Sequence, residues 1–316
     1  MNQKFIVFIL GPTCVGKTYI SLYLAEKLKT EILSSDSRQF YKELKIGTSM
    51  PTELDLSKIQ HHFIGHISIH DIYNAKLFEK DCLKKINELF VKYPILIMVG
   101  GSGLYEKAIT EGLDNFPEID LNIRNNLIFN FKKRGISFLQ EEFKKLKVNN
   151  KNKSIIDINN PRRLLRYLEI VKSTGYTPSV FFKKESKKRN FSIFKIGLIL
   201  PRYEIYSRIN NRVNNMINKG LIDEAKLYYP YRNLNSLQTI GYKEIFESIF
   251  HKKDCLNETI EKIKINTRRY AKKQLTWYRK DSSVKWFNPN EKEKILSFIL
   301  MKTVGNTGFE PVTSCL

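Results

Sequence analysis

Residues 11–18 read GPTCVGKT, a complete GxxxxGK[ST] phosphate loop. The loop follows the apolar run Lys4–Leu10, which predicts a strand, and precedes a helical pattern that begins near Tyr19. Strand, glycine-rich turn and helix together place backbone N–H groups around a phosphate chain at the positive end of the helix. Lys17 is expected to reach the terminal phosphates, and the hydroxyl of Thr18 to hold a magnesium ion (Mg2+). The chain is therefore predicted to bind a di- or triphosphate.

Three apolar runs alternate with helical stretches in the first part of the chain: Phe5–Leu10, Glu31–Ser34 and Ile95–Val99. This alternation predicts βαβ units and an α/β fold, in which helices flank a parallel sheet. Each run ends in small or polar residues, and ligands of such sheets bind beyond the carboxyl ends of the strands. Asp36 and Ser102, which follow the second and third runs, are therefore expected beside the phosphate loop.

The character of the chain changes near Asp114. Residues 131–190 carry 17 Lys and Arg against five Asp and Glu. Their helical patterns are broken at Asn149–Asn152 and at Asn159–Pro161. We interpret residues 114–190 as an α-helical insertion.

The insertion divides a core domain that we assign to residues 1–113 and 191–302. Phe191–Leu200 is expected to add a strand to the sheet, and helices to fill the remainder to about Asp281. Residues 303–316 have two glycines, a proline and no periodicity, which predicts a mobile tail; a read-through of the gene model is the alternative.

The formal charge of the 316-residue chain is +22, from 54 Lys and Arg against 32 Asp and Glu. Such an excess favours a polyanionic partner, since each neutralised phosphate releases a counterion. A Lys-, Asn- and Ile-rich coding bias is the alternative, and it explains the choice of Lys over Arg better than the shortage of acids. Charge alone therefore favours a nucleic-acid partner.

The four cysteines have no CxxC spacing, which argues against a disulfide framework or a zinc knuckle; they are Cys14, Cys82, Cys255 and Cys315. The N-terminus shows no signal-peptide pattern. Apolar runs such as Ile193–Leu200 are too short to span a bilayer. We expect a cytoplasmic protein without a membrane partner.

A group of histidines resembles a metal cluster at first sight: His61, His62, His66 and His70. The segment Phe63–Ile69 alternates apolar with small or polar residues and carries three β-branched isoleucines, so it predicts a strand. Because no acidic or cysteine ligand shares a helical face with the histidines, ordinary strand and loop positions are favoured over zinc.

A phosphate loop is typical of phosphoryl transfer, which calls for an acidic residue that assists magnesium at the end of a second strand. The run Ile95–Val99 ends instead in Gly100-Gly101-Ser102-Gly103. The nearest carboxylate at a strand end is Asp36. A phosphate cradle beside one isolated Asp suits another reaction, in which a diphosphate leaves and Asp36 takes a proton from the incoming nucleophile.

The chain resembles the tRNA dimethylallyltransferases, also called tRNA isopentenyltransferases, over about residues 4–288. The matching blocks are GPTCVGKT (11–18), SSDSRQFYKELKIGTSMPT (34–52), HHFIGH (61–66), MVGGSGLY (98–105), NNPRRLLRYLEI (159–170), IGYKE (240–244) and RRYAKKQLTWYRKD (268–281). The resemblance implies a fold like that of small-molecule kinases. It also implies transfer of a dimethylallyl group from dimethylallyl diphosphate to N6 of the adenosine 3′ to the tRNA anticodon.

By this resemblance the catalytic residues are Asp36, as the base, with Thr13 and Ser102. Thr13 is expected near the bridging oxygen of the diphosphate, with Mg2+ held at Thr18. Arg212 lies in a helical pattern from Tyr203 to Gly220 and is expected to add a second cation, although a solvated helix face is its alternative. The full set expected to bind the diphosphate is Gly11, Pro12, Thr13, Cys14, Val15, Gly16, Lys17, Thr18 and Arg212.

The resemblance also implies three segments that bind the tRNA anticodon stem-loop and admit the extruded adenosine: Asp36, Ser37, Arg38 and Gln39; Arg162, Arg163, Leu164, Leu165 and Arg166; and Gln238, Thr239, Ile240, Gly241, Tyr242 and Lys243. A base taken out of its stack needs aromatic walls, for which Tyr242 and Trp277 are candidates; core positions are the alternative. Arg268–Lys273 is expected to grip backbone phosphate, since eight Lys and Arg meet one acid between Ile260 and Lys280.

Two positions depart from the family pattern. Ser102 stands where the family usually has Thr, which keeps the hydroxyl. Gln238 stands where many members carry a basic residue, which puts its RNA contact in doubt.

Three other functions fit the sequence less well. A small-molecule or nucleotide kinase has no need of the basic clusters, and a prenyltransferase that acts on free AMP or ADP has no need of a basic insertion. A non-enzymatic RNA-binding ATPase does not account for Asp36.

ATP is expected at most to compete for the phosphate loop. The enzyme is expected to act as a monomer.

Overall fold

The computed structural model describes residues 3–146, 156–182, 187–251 and 256–304, and these contain a six-stranded sheet. The strands are β1 Phe5–Leu10, β2 Ile32–Ser34, β3 His61–His62, β4 Ile95–Val99, β5 Ser192–Leu198 and β6 Val284–Phe287. Their order is β3-β2-β4-β1-β5-β6, and every pair is parallel. The predicted α/β fold with a parallel sheet is confirmed, as are the bounds of β1 and β4.

Helices occupy most of the remaining described residues. In chain order they are α1 Lys17–Leu28, α2 Glu53–Lys58, α3 Ala75–Leu89, α4 Gly103–Thr110, α5 Leu121–Arg134, α6 Ile136–Lys145, α7 Pro161–Thr174, α8 Arg202–Asn218, α9 Leu221–Tyr228, α10 Tyr242–His251, α11 Leu256–Tyr278 and α12 Lys292–Val304. Among the described helices, none is long and apolar enough to cross a membrane.

Strand β1 shows why the sheet is sandwiched between helices. All six of its residues are buried, so the strand has no polar face. Val7 and Ile9 belong to one apolar cluster, while Ile6 and Phe8 belong to a second. Since alternate residues of a strand point to opposite faces, these clusters are the cores on the two sides of the sheet. Burial of each such side chain stabilises the fold by about 1.5–3 kcal/mol.

The prediction of a strand over Phe63–Ile69 is wrong. The regular strand is only His61–His62, and its chain then turns through left-handed backbone at Phe63 (φ 64°) and Gly65 (φ 56°). Such φ values break the extended ladder, and pairing resumes only as one bridge between Tyr41 and Ile67. The histidines have ordinary partners: His62 Nε2 lies 2.6 Å from Glu31 Oε2, and His66 packs edge-on against Phe40.

Strand β6 was not foreseen. The prediction ended with helices near Asp281. In the structure, Val284–Phe287 pairs with β5 and forms the edge strand on that side of the sheet. The tail was predicted to begin at residue 303, but helix α12 continues to Val304 and Thr303 is buried. The predicted break at Asn149–Asn152, residues 305–316 and Cys255 lie outside the described residues.

The described residues form two compact units, one drawn from residues 1–111 and 188–316 and the other from residues 112–187. The predicted limits of the insertion, 114 and 190, differ from these by a few residues at each end. In its described part the second unit is helical and has its own apolar core, to which Leu127, Leu139 and Leu164 contribute.

Leu164 requires a correction. It was grouped with the tRNA-binding residues, but its side chain is fully buried in the core of the helical unit and cannot contact a ligand. The helical period explains this, since Leu164 lies on the apolar face of α7. Arg162, Arg163 and Arg166 lie on the exposed face of the same helix, while Leu165 is half-buried.

Candidate active site

The phosphate loop has the backbone geometry that its glycines suggest. Gly11 (φ 135°), Cys14 (φ 65°) and Gly16 (φ 107°) all have left-handed backbone, and α1 begins directly after Gly16. A side chain at Gly11 would also run into the carbonyl oxygen of Leu198 on β5. The loop therefore curls tightly between the end of β1 and the start of α1, where the positive end of the helix dipole favours an anion.

The side chain of Lys17 folds back onto the phosphate loop. Its Nζ donates to the carbonyl oxygens of Gly11 (2.9 Å) and Pro12 (2.8 Å), so the ammonium group is held at the mouth of the loop. Burial lowers the pKa of Lys17 from 10.5 to about 8; the charge of Asp36 opposes this shift and that of Arg212 adds to it. The charges of Asp36 and Arg212 therefore both act on the ammonium group of Lys17.

Arg212 on α8 forms hydrogen bonds to the phosphate loop and to Ser49. Its Nη1 donates to the hydroxyl oxygen of Thr13 at 2.9 Å, and its Nε donates to Ser49 Oγ at 2.5 Å. The guanidinium is therefore held in place by both residues, and it adds a permanent positive charge beside the phosphate loop. The alternative of a solvated helix face does not apply to this arginine.

Asp36 lies at the carboxyl end of β2, with Ser102 at the end of the neighbouring β4. Asp36 Oδ1 accepts the backbone N–H of Arg38 at 3.0 Å, which holds the carboxylate in a turn. The hydroxyls of Ser37 and Ser102 are 3.1 Å apart. The structure thus brings together the polar strand ends that were predicted to share one crevice.

Helix α11 completes the site with residues that sequence reasoning did not single out. Gln274 accepts the Thr13 N–H through Oε1 and donates to the Gly101 carbonyl through Nε2, each at 2.8 Å. The Tyr270 hydroxyl lies 3.4 Å from the same carbonyl, and burial followed by the charge of Asp36 raises its pKa. The signal available was their spacing of four residues within the block 268–281, which places both on one helix face.

Some of these groups line a cavity of about 300 Å³ within the first unit; Lys17, Ser102 and Gln274 are not among its lining residues. Members of the phosphate loop, the β2 loop, α8, α11 and the segment before α10 contribute to it: Thr13, Asp36, Ser37, Arg38, Gly47, Thr48, Arg212, Val213, Met216, Gln238, Thr239, Ile240, Gly241, Ile263, Thr267 and Tyr270. The cavity joins a carboxylate, two guanidinium groups, hydroxyls and an apolar patch. Its size suits a small group or a single base rather than a duplex.

A larger cavity of about 760 Å³ adjoins the first, because Arg212 and Met216 line both. Its wall combines the cations Lys42, Lys45 and Arg208 with apolar side chains. A phosphorylated apolar molecule matches this combination of charge and hydrophobicity.

Tyr242 does not line the cavity, which corrects the expectation that its ring forms a wall of the adenosine channel. Its side chain is fully buried and its hydroxyl donates to Glu224 Oε1. The same carboxylate accepts the backbone N–H groups of Ile46 and Gly47 at 3.0 Å. Tyr242 therefore belongs to the core and supports the loop that carries Gly47 to the cavity.

The other residues predicted to bind tRNA have mixed surroundings. Gln238 lines the cavity but donates to the Arg232 carbonyl at 2.6 Å. Gln39 donates to the Ser49 carbonyl at 3.0 Å. Lys243 is exposed and lies 3.6 Å from Glu247, a surface ion pair that contributes little.

Trp277 is about half exposed and packs directly over Gly103, where a side chain would overlap its indole ring. Arg269, Lys272 and Lys273 on the same helix are exposed. In the helical unit, Arg166 lies 3.3 Å from Glu169 and stacks over Phe116 with 5.4 Å between guanidinium carbon and ring centroid.

The described residues contain no group of three or more His, Cys, Asp or Glu side chains that could hold a metal ion. Thr18 occupies the second position of α1 and is exposed. Its hydroxyl is a hard oxygen ligand of the type that Mg2+ takes when substrate phosphates and water supply the remainder. The residues present are compatible with that ion.

Comparison with known proteins assigns the chain to a family. The model of the IPP transferase family matches residues 39–281. The tRNA dimethylallyltransferase of Christiangramia forsetii is 50% identical over 292 residues, which cover 92% of this chain and 96% of the relative. The tRNA dimethylallyltransferase 1 of Bacteroides fragilis is 42% identical over 299 residues, with 95% and 98% covered.

Solved structures agree. The full-length tRNA isopentenylpyrophosphate transferase of Bacillus halodurans matches with a TM-score of 0.71 and 33% identity, and the match covers 97% of this chain and 99% of that one. The resemblance inferred from the sequence blocks is thereby confirmed. By its family match, its relatives and its fold, the chain belongs to the IPP transferase family.

Proposed function

We propose that this protein transfers a dimethylallyl group from dimethylallyl diphosphate to N6 of the adenosine on the 3′ side of the anticodon in tRNA, with release of diphosphate. Family membership and the curated relatives support prenyl transfer to tRNA. The observation that carries the proposal is the cavity in which the carboxylate of Asp36 lies together with the guanidinium of Arg212 and with Thr13 of the phosphate loop.

The reaction forms a bond between N6 and C1 of the allyl group and breaks the bond between C1 and the diphosphate oxygen. The amine of adenine is a poor nucleophile because its lone pair is delocalised into the ring. Asp36 accepts the proton that N6 gives up, and such general-base help is worth about 10²- to 10⁴-fold. The turn that holds Asp36 Oδ1 on the Arg38 N–H leaves the second carboxylate oxygen for this task.

Stabilisation of the leaving group falls to the phosphate loop. Negative charge grows on the diphosphate as the C–O bond breaks, and donors that are already in place stabilise it without reorganisation. Lys17, Arg212 and the start of α1 supply positive charge there. Thr13 accepts from Arg212 through its oxygen, so its own hydroxyl proton is directed elsewhere and can donate to the diphosphate.

Magnesium is part of the proposal. Thr18 would hold the ion together with oxygens of the diphosphate and water. The ion would neutralise part of the charge on the leaving group.

Recognition of the tRNA is assigned to cationic residues. Arg162, Arg163 and Arg166 are exposed on α7, and Arg269, Lys272 and Lys273 are exposed on α11. A cavity of about 300 Å³ has room for one extruded base, and the anticodon loop offers unpaired bases that can be flipped out at low cost. We propose a monomer as the working unit. We place the reaction in the cytoplasm, with its tRNA substrate.

The experiment that tests the proposal supplies radiolabelled dimethylallyl diphosphate with unmodified tRNA, and in a parallel reaction supplies ATP with the same tRNA. We expect label on the adenosine 3′ to the anticodon and one diphosphate released for each adenosine modified, with no consumption in the absence of tRNA. Steady ATP hydrolysis stimulated by tRNA, with no label on the RNA, would instead establish an RNA-dependent ATPase.

A further inference from the structure

Gln274 joins two loops that carry the predicted chemistry. Its side chain bonds the Thr13 N–H in the phosphate loop and the Gly101 carbonyl after β4, both at 2.8 Å. The orientation of the amide follows from its partners, because a backbone N–H can only donate and a carbonyl can only accept. Thr13 and Gln274 are 261 residues apart in sequence, so this contact depends entirely on the packing of α11.

The side chain of Gln274 is tightly packed, which constrains the geometry of both hydrogen bonds. Gln274 is 6% exposed, and a side chain at Gly101 would overlap its Nε2. The helix face that carries Gln274 is anchored on both sides, by Tyr270 at the Gly101 carbonyl and by Trp277 over Gly103. The amide is therefore a fixed bridge between the loops.

We infer that Gln274 is a positioning residue for prenyl transfer, which holds Thr13 in the orientation that stabilises the departing diphosphate. The bond from Gln274 fixes the backbone of Thr13, and the bond from Arg212 at 2.9 Å fixes its hydroxyl. Together they hold both the backbone and the hydroxyl oxygen of Thr13 in place. Gln274 acts through Thr13 and takes no part in bond formation. This inference rests on the proposed function.

The first test replaces Gln274 by Met, which keeps the length of the side chain and removes both hydrogen bonds. Because a small misplacement of a reacting group can cost about 10²-fold, we expect kcat for prenyl transfer to fall by about that factor while KM for tRNA stays unchanged. The matched control is Gln60→Met, since Gln60 is an exposed glutamine that bonds a single backbone carbonyl, that of His61. This control should retain wild-type kcat.

The second test is Gln274→Glu, measured as the ratio of its kcat to that of the wild type at each pH. A neutral carboxyl accepts from Thr13 and donates to Gly101, whereas a carboxylate can only accept. We expect the ratio to rise as pH falls. A merely structural role would not produce this pH dependence, provided that thermal unfolding shows both variants folded at the assay temperature.

A wild-type kcat in Gln274→Met would overturn the inference, and a pH-independent ratio in Gln274→Glu would overturn the bridge of two bonds. Loss of activity that parallels loss of folded protein in both variants would also overturn it. Failure of the proposed function is distinguishable, because then the wild-type enzyme itself transfers no label to tRNA.

Discussion

Arg212 Nη1 donates to the hydroxyl oxygen of Thr13 at 2.9 Å, although 199 residues separate the two in sequence. The bond joins α8 to the phosphate loop at the position that the family resemblance assigns to the leaving group. A threonine oxygen held in this way still has its hydroxyl proton to donate to another acceptor. The pair therefore converts a flexible side chain into a preorganised donor.

Replacement of Arg212 tests this relationship. Arg212→Ala should lower kcat/KM for dimethylallyl diphosphate by about 10²- to 10³-fold, the usual loss when one preorganised donor is removed. Arg212→Lys should recover little, because an ammonium group cannot bond Thr13 and Ser49 at once in the geometry of the guanidinium. Arg202→Ala is the control, since Arg202 is exposed on the same helix and stacks on Tyr206. Equal activity in all three variants would contradict the assignment.

Asp36→Asn tests the general base. The amide oxygen can still accept the Arg38 N–H, so the turn should persist while the basicity is lost. We expect turnover to fall by about 10²- to 10⁴-fold, with little change in the binding of dimethylallyl diphosphate. Asp223→Asn serves as the control, because Asp223 is 85% exposed and lies 3.9 Å from Lys226. Turnover like that of the wild type would remove Asp36 from the mechanism.

The pKa of Lys17 predicts an alkaline limit to activity. Burial lowers this pKa to about 8, so in the free enzyme the ammonium is charged below that pH and neutral above it. As pH rises through about 8, kcat/KM for dimethylallyl diphosphate should fall. Bound diphosphate favours the charged form, so kcat should fall only at higher pH. Both kcat/KM and kcat are obtained from initial rates measured as a function of pH.

The variant Lys17→Arg tests whether deprotonation of Lys17 causes this alkaline decline in activity. A guanidinium stays charged throughout the range, so the variant should be slower but should lack the decline above about pH 8. A decline at the same pH in the variant would assign it to another group.

Glu224 and Tyr242 should matter for stability rather than for RNA contact. Glu224→Ala leaves the N–H groups of Ile46 and Gly47 and the hydroxyl of Tyr242 without their acceptor, which should cost about 3 kcal/mol in the free energy of unfolding. Tyr242→Phe should cost about 1 kcal/mol and leave the affinity for tRNA unchanged. Urea unfolding and tRNA binding are measured side by side.

Tyr231→Phe is the matched control, because Tyr231 is 45% exposed and its ring packs on His70. Weaker tRNA binding by Tyr242→Phe, at full stability, would return Tyr242 to the RNA site.

The arginines of α7 predict a change in salt dependence. Arg162→Ala should weaken tRNA binding and reduce the slope of log K against log salt by about 0.7–0.9 for each phosphate that the protein no longer neutralises. Lys80→Ala, an exposed cation on α3, should leave the slope unchanged. Arg166→Ala should also loosen the helical unit, since Arg166 pairs with Glu169 and stacks on Phe116. An unchanged slope for Arg162→Ala would place the RNA surface elsewhere.

Local patterns in the sequence were enough to predict the phosphate loop, the bounds of β1 and β4, and the shared edge at which Asp36 and Ser102 lie. Each of these depends on neighbouring residues: the glycines allow the turn, apolar runs define strands, and parallel strands present their carboxyl ends together. The same reasoning was wrong at Phe63–Ile69, because alternation is also compatible with a loop that turns through left-handed backbone.

Only the tertiary structure decided which helix faces meet the loops. Helical periodicity places Tyr270 and Gln274 on one face of α11, and Arg212 in the middle of α8, but it does not specify what either face packs against. The contacts of Arg212 and Gln274 with Thr13 span 199 and 261 residues and arise from the packing of distant elements. Packing likewise buried Tyr242 and Leu164, whose residue types suited both a binding surface and a core.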